Sequence, residues 1–496
     1  MNIAPPPPQH GTLTHAEVVS IILGVMLAMF LAALDQTIVA TALPTIGRAL
    51  GDVAHLPWIV TAYLLAATAV TPLYGKFSDV YGRRITLLVG IGIFIIGSVL
   101  CALAPTMLTL IVGRFIQGLG GGGLIALAQT IIGDITSPKE RSRYQSFIAS
   151  VFLSASVLGP LLGGFFADKL HWSLIFWINL PLGFLAFLMT YRQLRKLPRH
   201  ERRHRIDVLG GVILLAATVS LMLLLNWGGI AYPWFSMEII GLAVVSLLAW
   251  IAFVARLHAA PEPFLPLSLL KNQVVRTGNV STGFSMGAFI GLSIYLPIYL
   301  QTVYHFSAGA SGVALIPLMA GTVCGAFISG ILMPKVRHYK RLPMVGLSIS
   351  TLGLIILAIH PQPLPLLVLE VIFIVISMSL GTSLPVTTIS IQNAVPLHQL
   401  GMTMALMNFA RQLGGAVAVA IFGAIVLGLL SHSGEGLSHE NLSAAFSAST
   451  MDFAPTFRWV FIAAAIWFGI ALYALIRMEE RPLRSTIGEA PPAAME

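Results

Sequence analysis

Apolar residues occur along this chain in fourteen long runs that short polar stretches separate. A helix needs about 20 apolar residues to cross the hydrocarbon core of a bilayer, and each run has roughly that length. The ninth run carries the polar residues Ser281, Thr282 and Ser285, so we expect it to face protein or water. The pattern predicts fourteen membrane helices, at residues 18–42, 57–76, 85–104, 106–133, 145–167, 172–191, 207–227, 236–256, 277–300, 309–333, 342–360, 364–388, 403–430 and 456–477.

The composition excludes a soluble enzyme. Of the 496 residues, 57% are hydrophobic and only 9% are charged, whereas about a quarter of the residues in a soluble domain are charged. So few charges cannot cover a molecule of this size with a polar surface. Both cysteines, Cys101 and Cys324, lie in apolar runs, which excludes a disulfide framework. The chain is therefore predicted to be an integral membrane protein without a large domain outside the bilayer.

Basic residues are distributed unevenly between the two sides of the predicted bundle. With alternate loops on opposite sides, 23 of the 28 Lys and Arg residues fall on one side. Arg48, Lys169 and Arg458 fall on the other side, and Arg114 and Arg411 lie within spans. The positive-inside rule assigns the basic side, and with it both termini, to the cytoplasm. The net charge of +9 is thus a topology signal, and nucleic-acid binding is not expected.

The chain repeats itself weakly at the level of halves. Paired basic residues follow both span two and span ten, and similar polar segments precede spans five and thirteen. The repeat predicts two related six-helix bundles, which spans seven and eight interrupt. Parallel repeats of this kind are typical of transporters, with the substrate path between them. The predicted divisions are a Pro-rich tail at 1–16, a bundle at 17–192, a basic loop at 193–206, two inserted helices at 207–256, a linker at 257–276, a second bundle at 277–477 and a tail at 478–496.

The segment GKFSDVYGRR, between spans two and three, is predicted to form a short cytoplasmic turn. Gly75 and Gly82 permit tight backbone geometry there. Asp79 can lie near a helix N-terminus or pair with Arg83 or Arg84, which would make a charge cluster that opens and closes as the bundles move. An ordinary positive-inside loop is the alternative interpretation.

This segment resembles the signature loop of the major facilitator superfamily, which lies between spans two and three, as it does here. Further segments resemble motifs of the fourteen-span drug:proton antiporters of that family. One departure is Ser173, where that branch commonly carries an arginine after the tryptophan. The segments are LDQTIVATALP at 34–44, RFIQGLGGGG at 114–123, LGPLLGG at 158–164 and HWSLIFWINLP at 171–181.

The resemblance implies an all-α membrane protein with two six-helix bundles of the major facilitator type and two inserted helices. It implies secondary active export coupled to protons, in the inner membrane of a bacterial cell, and no enzymatic activity. It also implies an antiporter role for the fifth-span motif, in which Gly159 and Pro160 would bend the helix while Gly163 and Gly164 permit close packing. Plain packing is the alternative interpretation of these glycines.

Two opposite charges lie inside predicted spans at a similar depth. At 1.5 Å per residue, Asp35 lies roughly 10 Å from the outer end of span one, and Arg114 lies roughly 12 Å from the outer end of span four. An ionised group in hydrocarbon costs about 3 kcal/mol, so each must face a partner or a cavity. We expect Asp35 to carry a proton and Arg114 to tune its affinity. A static polar contact between helices is the alternative.

Two further charges lie inside the second half. Glu370, in span twelve, would bind a cationic substrate or a second proton, or it would extend to the outer interface. Arg411 forms a polar patch with Asn408 and Gln412 in span thirteen. Its position predicts a gate, a charge partner or a side chain that extends to the interface.

Metal and nucleotide chemistry are not expected. His200 and His204 have helical i, i+4 spacing, but the surrounding arginines would repel a metal ion. No P-loop of the form GxxxxGKS/T is present, so we expect no ATP-driven transport, no cofactor and a proton gradient as the energy source.

The sequence thus predicts a proton-coupled efflux protein of the multidrug type for small lipophilic compounds. Its expected partners are these substrates, protons and the lipid bilayer, and the acidic residues favour cationic substrates. Export of a metabolite or siderophore, uptake by symport and channel activity are the alternatives, and the segment GPLLGG argues against uptake. Short outer loops leave the involvement of a periplasmic adaptor open.

Overall fold

The computed structural model describes residues 14–52, 55–196, 207–229, 231–431, 454–484 and 486. Within these residues, fourteen helices are long and apolar enough to cross a membrane, so the predicted number is confirmed. We number them α1 to α14 in chain order. Their bounds are His15–Leu50, Leu56–Tyr81, Arg83–Ala102, Met107–Ile135, Pro138–Lys169, Leu174–Gln193, Val208–Trp227, Met237–Ala259, Gln273–Thr302, Ala310–Leu332, Arg341–Ile359, Leu366–Asn393, Leu400–Ser431 and Ala454–Arg477.

Helix α4 is interrupted by a run of glycines. It consists of two segments, Met107–Gly121 and Leu124–Ile135. The glycines let α4 approach α2 closely, because a methyl group at Gly123 would overlap the ring of Tyr74. The Tyr74 hydroxyl in turn donates to the carbonyl of Leu119 at 2.9 Å. The interruption therefore brings α4 into close contact with α2.

The structure extends several predicted spans at their ends, most of all α1, which continues to Leu50 where the pattern predicted an end at residue 42. Helix α2 continues to Tyr81, so most of the segment expected to form a turn is helical, and Gly82 alone separates α2 from α3. Gly82 has a φ of 91°, which favours glycine. Helix α5 begins earlier than predicted, at Pro138, where Ser137 and Glu140 form a capping box. The apolar pattern missed these turns because helix ends outside the hydrocarbon carry polar side chains.

The helices form two bundles and an inserted pair. Helices α1 to α6 pack in one bundle and α9 to α14 in the other. Helix α2 packs on α13, and α5 packs on α10, so the two seams between the bundles are equivalent under the repeat. Helices α7 and α8 pack together, and α7 touches both α2 and α13. The predicted architecture of two six-helix bundles with two inserted helices is confirmed.

We call the end of the molecule at which α2 meets α3 the basic end, and the other end the opposite end. Hydrogen bonds join the two bundles from the middle of the helices to the basic end. Midway along the helices, Thr68 donates to Gln412 at 2.6 Å. Nearer the basic end, Asn408 donates to Gln129 at 2.8 Å. In this conformation, direct contacts between the bundles close the basic end.

The predicted terminal segments are described only in part. The tail at 1–16 and the basic loop at 193–206 lie largely outside the described residues. The chain after α14 is described to Arg484, and it packs on the basic end, where Asn393 donates to the carbonyl of Pro482 at 2.9 Å. The first residues of the predicted C-terminal tail therefore belong to the folded molecule.

Candidate functional site

The predicted charges of spans one and four meet in a fully buried ion pair. Arg114 Nη1 lies 2.6 Å from Asp35 Oδ2, and the two side chains are 1% and 0% exposed. Arg114 Nε donates to the carbonyl of Ile59 at 3.1 Å, and the guanidinium lies 4.3 Å from the centre of the Tyr63 ring. Helices α1, α2 and α4 therefore converge on one pair of charges.

Two further side chains complete the pairing of Asp35. Gln117 and Asn179 donate to Asp35 Oδ1 at 2.8 and 2.9 Å. Gln117 also accepts from Arg114 at 2.6 Å and donates to Ser98 Oγ at 2.8 Å. Neither amide was predicted from the sequence. The spacing of Gln117, three residues after Arg114 on one helix face, is a signal that could have identified it.

Glycines hold α3 and α4 close enough to build this site. A methyl group at Gly113 would lie 2.8 Å from Cys101 Sγ, and one at Gly97 would lie 2.7 Å from Gln117 Cβ. Small residues at such positions let two helix backbones approach each other within the membrane. Larger side chains there would push α4 away from α3 and disturb the ion pair.

Several hydrogen bonds hold the ion pair together. In the pair, the Asp35 carboxylate accepts from Arg114, Gln117 and Asn179. A proton on Asp35 would leave the buried Arg114 charge without a counter-ion, at a cost of about 3–5 kcal/mol. A helix movement that brings the pair into contact with water would relieve this cost. Breaking the pair inside the closed bundle is therefore unfavourable.

Helix α5 packs tightly on α1, one turn beyond Asp35. A methyl group at Gly163 would overlap the carbonyl of Ile38, and one at Gly159 would overlap the side chain of Thr37. The Thr37 hydroxyl also donates across the interface to the carbonyl of Ala155, at 2.8 Å. The two glycines therefore bring α5 into backbone contact with the helix that carries Asp35.

The other two residues of the predicted antiporter motif do not contribute to this contact. A methyl group at Gly164 would meet no described atom within 4 Å, so the expectation of close packing at Gly164 is corrected. Gly164 is the next residue along the helix after Gly163, so its side-chain direction is rotated away from α1. Pro160 lies inside α5, which is helical on both sides of it from Pro138 to Lys169.

The Asp79 carboxylate joins the two bundles at the basic end. It accepts from the backbone N–H groups of Gly401, at 3.1 Å, and Met402, at 2.9 Å, where α13 begins. Arg83 pairs with Asp79 and also with Asp134, at 2.8 Å. The first N–H groups of a helix have no partners within the helix, and they favour a negative charge. This cluster must break when the bundles separate at the basic end.

The remaining residues of this segment have different surroundings. Gly75 lies within α2, where a methyl group would lie 2.5 Å from Ala405 Cβ of α13, so it serves close packing and does not form a turn. The Arg84 guanidinium lies 4.6 Å from the centre of the Tyr191 ring. Of the two arginines, Arg83 is therefore the partner of Asp79.

The two charges predicted in the second half lie apart from the Asp35 pair. Glu370 lies in the second turn of α12, at the opposite end, and the described residues give it no ion pair or hydrogen bond. Arg411 lies midway along α13, where Nε donates to Thr282 at 3.1 Å and Nη2 donates to Thr388 at 2.9 Å. The structure therefore gives these two residues no direct part in the Asp35 site.

Metal binding was not expected from the sequence. Among the described residues, no group of three or more His, Cys, Asp and Glu side chains is arranged to hold a metal ion. His200 and His204 lie outside the described residues.

Comparison with known proteins identifies the family. The sequence pattern of the Major Facilitator Superfamily matches residues 25–419, which include most of both bundles and the Asp35 site. The chain belongs to the major facilitator superfamily. It is therefore a multi-pass membrane transporter that acts on small molecules, and it is not an enzyme.

The similarity to other members extends over most of the chain. This superfamily member is 34% identical over 414 residues to multidrug resistance protein 3 of Bacillus subtilis, a match that covers 84% of this chain and 80% of that protein. It is 32% identical over 406 residues to the multidrug transporter protein MdtP of the same organism, with 82% and 75% covered. The fold is similar to that of the human organic anion transporter MFSD10 (TETRAN), with a TM-score of 0.64, 16% identity and 96% and 100% of the two chains covered.

Proposed function

We propose that this transporter is a proton-coupled antiporter that exports small lipophilic compounds. The buried Asp35–Arg114 pair is the observation that carries the proposal. In the proposed cycle, a proton that enters from the opposite end displaces Arg114 from Asp35 and favours return to the state open at the basic end. Substrate binding from the basic end then favours release of the proton.

The contact between α5 and α1 supports exchange over symport. Gly159 and Gly163 hold α5 against the part of α1 that follows Asp35. A tightly packed interface there leaves no room for water to reach the carboxylate between these helices, so a proton leak is suppressed. The named relatives, a multidrug resistance protein and a multidrug transporter, support lipophilic compounds as the substrate class.

We place the protein in the inner membrane of a bacterial cell, with both termini in the cytoplasm. The concentration of Lys and Arg at the basic end supports this orientation. Green fluorescent protein fused after residue 496 should fold and fluoresce in cells. A fusion that stays dark while the protein is produced in full would contradict the orientation, because this reporter does not mature after export in unfolded form.

The direct test of exchange uses purified full-length protein in liposomes that contain a pH-sensitive dye and are acid inside. A panel of lipophilic compounds, with ethidium as the cationic member, is added outside. An antiporter moves substrate in and protons out, so the interior should become more alkaline when a substrate is added. Acidification of the interior would indicate symport, and substrate entry without proton movement would indicate a channel.

A matched pair of variants assigns the coupling. Asp35→Asn keeps the size of the side chain but cannot carry a second charge state, so it should abolish the substrate-evoked pH change. Asp52→Asn is the control, because Asp52 pairs with His55 and is partly exposed at the opposite end, far from the Asp35 site. Coupled proton movement that persists in Asp35→Asn would contradict the assignment.

A further inference from the structure

Arg411 is a charged side chain in the middle of the membrane, and the described residues give it no carboxylate partner. It follows Asn408 by one helical turn and precedes Gln412, and both of these neighbours bind the other bundle. The Thr68–Gln412 hydrogen bond lies farthest from the basic end among the bonds between bundles described above. The Arg411 side chain is only partly buried.

The other charges of the described membrane helices do not neutralise Arg411. Asp35 is already paired with Arg114, and the Asp79 cluster lies at the basic end. Glu370 lies near the opposite end of α12 and forms no ion pair with a described residue. Among the described residues, the middle of the bundle interface therefore carries one positive charge without a counter-ion. An unpaired charge in this position is costly, which favours a functional reason for it.

Neutral side chains hold the Arg411 guanidinium in place. The acceptors are the hydroxyls of Thr282 in α9, at 3.1 Å, and Thr388 in α12, at 2.9 Å, and both threonines are fully buried. Helices α9 and α13 approach closely beside them, because a methyl group at Gly283 would lie 3.0 Å from the carbonyl oxygen of Ala410. The hydroxyls orient the guanidinium without cancelling its charge. Nη1 makes no hydrogen bond to a described residue.

We propose that Arg411 binds a carboxylate group of the transported substrate. A guanidinium binds a carboxylate through two parallel hydrogen bonds, and it does so best where water is scarce. The inference rests on the proposed function, and it narrows the substrate class to lipophilic compounds that carry a carboxylate. It reverses the preference for cations that the acidic residues favoured in the sequence, because Asp35 is paired and Arg411 is not.

The test measures equilibrium binding to the purified full-length protein without a proton gradient. The probes are dansyl-phenylalanine, its uncharged amide and a dansylated quaternary ammonium compound. The protein variants are wild type, Arg411→Gln, Arg411→Lys and the charge-matched control Arg458→Gln. Arg458 lies at the opposite end, where it donates to the carbonyl of Ala358 at 3.0 Å. Thermal midpoints and gel filtration verify that each variant is folded.

Wild type and Arg458→Gln should bind the carboxylate probe at least tenfold more tightly than its amide. Arg411→Gln should erase this preference by weakening only the carboxylate, and Arg411→Lys should keep part of it. Equal weakening of both probes in Arg411→Gln, or tighter wild-type binding of the ammonium probe than of the carboxylate, would overturn the proposal. The comparison of the three probes in wild type tests the proposal even if Arg411→Gln does not fold. If wild type prefers the carboxylate probe but shows no transport driven by a proton gradient, the proposed proton coupling is wrong, whereas the binding role of Arg411 stands.

Discussion

At the scale of single residues, Asp35 is held in the bundle interior by Arg114, Gln117 and Asn179, which all donate to it. Asp35→Ala should lower the free energy of unfolding by about 3–5 kcal/mol, because it leaves the Arg114 charge buried and unpaired. The double variant Asp35→Asn with Arg114→Gln should recover most of this loss. Thermal midpoints in detergent micelles measure both effects. A double variant as unstable as Asp35→Ala would show that the pair does not govern stability.

The stabilising effect of Asp207 at the start of α7 should depend on pH. Asp207 caps α7, accepting from Gly210 N–H at 3.0 Å and from Arg256 Nη2 at 2.9 Å. Burial alone would raise the pKa of Asp207, but hydrogen bonds from Arg256 and Gly210 hold that pKa below its usual range. The stabilisation is therefore complete above the ordinary pKa of about 3.9 and is lost as pH falls through the lowered value.

Asp207→Asn keeps the shape of the cap and removes its charge. It should cost about 1 kcal/mol of stability at pH 7, and the difference from wild type should shrink below about pH 3.9. Thermal midpoints of both proteins from pH 7 to pH 3 test this expectation. A difference that stays constant or grows towards acid pH would show that the ion pair with Arg256 is not its source.

The sequence predicted some of the contacts around Asp35 and missed others. Counting residues from the ends of the spans placed Asp35 and Arg114 at one depth, and they form an ion pair. Depth alone could not identify Asn179, because it does not give the direction in which a side chain points. For the same reason Gly163 and Gly164 looked equivalent in the sequence, although only Gly163 packs against α1. The proton-coupling role of Asp35 stays a prediction.

At the scale of helices, the contact between α5 and α1 offers a matched comparison. Gly163→Ala should cost about 1–3 kcal/mol, because the added methyl group would overlap the carbonyl of Ile38. Gly164→Ala adds the same methyl group where no described atom lies within 4 Å, so its stability should match wild type. Thermal midpoints and the substrate-evoked pH change should fall only in Gly163→Ala. Equal effects of the two substitutions would contradict the described packing.

Apolar run length predicted the helices well but not their ends. Each membrane helix must cross the same hydrocarbon thickness, so each needs an apolar run of similar length. Counting these runs gave the correct number of helices. The last turn of α2 and the first turns of α5 are polar, so the runs stopped short of Tyr81 and began after Pro138. These turns carry Asp79 and the Ser137 capping box. The helix ends that the apolar pattern missed therefore include part of the contact between the bundles, at Asp79.

At the scale of the whole molecule, the Asp79 cluster should hold the basic end closed. Asp79→Asn weakens the bonds to Gly401 and Met402 and the pair with Arg83. A loss of about 1.4 kcal/mol would shift the equilibrium about tenfold towards the state in which the basic end is open. The measurement is the distance between spin labels at Arg143→Cys and Arg337→Cys.

The labelled protein carries Cys324→Ser, since Cys324 is exposed and would also react, whereas Cys101 is buried. Asp79→Asn should add a population at longer distance, and Asp52→Asn at the opposite end should not. An unchanged distance distribution in Asp79→Asn would show that this cluster does not control closure.

The repeat predicted two bundles, but the sequence could not show how they meet. The pairing of α2 with α13, and of α5 with α10, depends on the relative rotation of the bundles. Within its own segment Asp79 had two candidate partners, Arg83 and Arg84, while its backbone partners Gly401 and Met402 lie far along the chain. For the same reason, the sequence did not predict the hydrogen bond between Thr68 and Gln412.

In the proposed cycle, substrate binding releases a proton from Asp35, and this release can be measured directly. Purified protein in weakly buffered detergent solution is mixed with a transported compound in the presence of a pH indicator. Wild type should acidify the solution on binding, most strongly at the pH where Asp35 is partly protonated, and Asp35→Asn should bind without releasing protons. Equal proton release from wild type and Asp35→Asn would show that Asp35 does not release the proton.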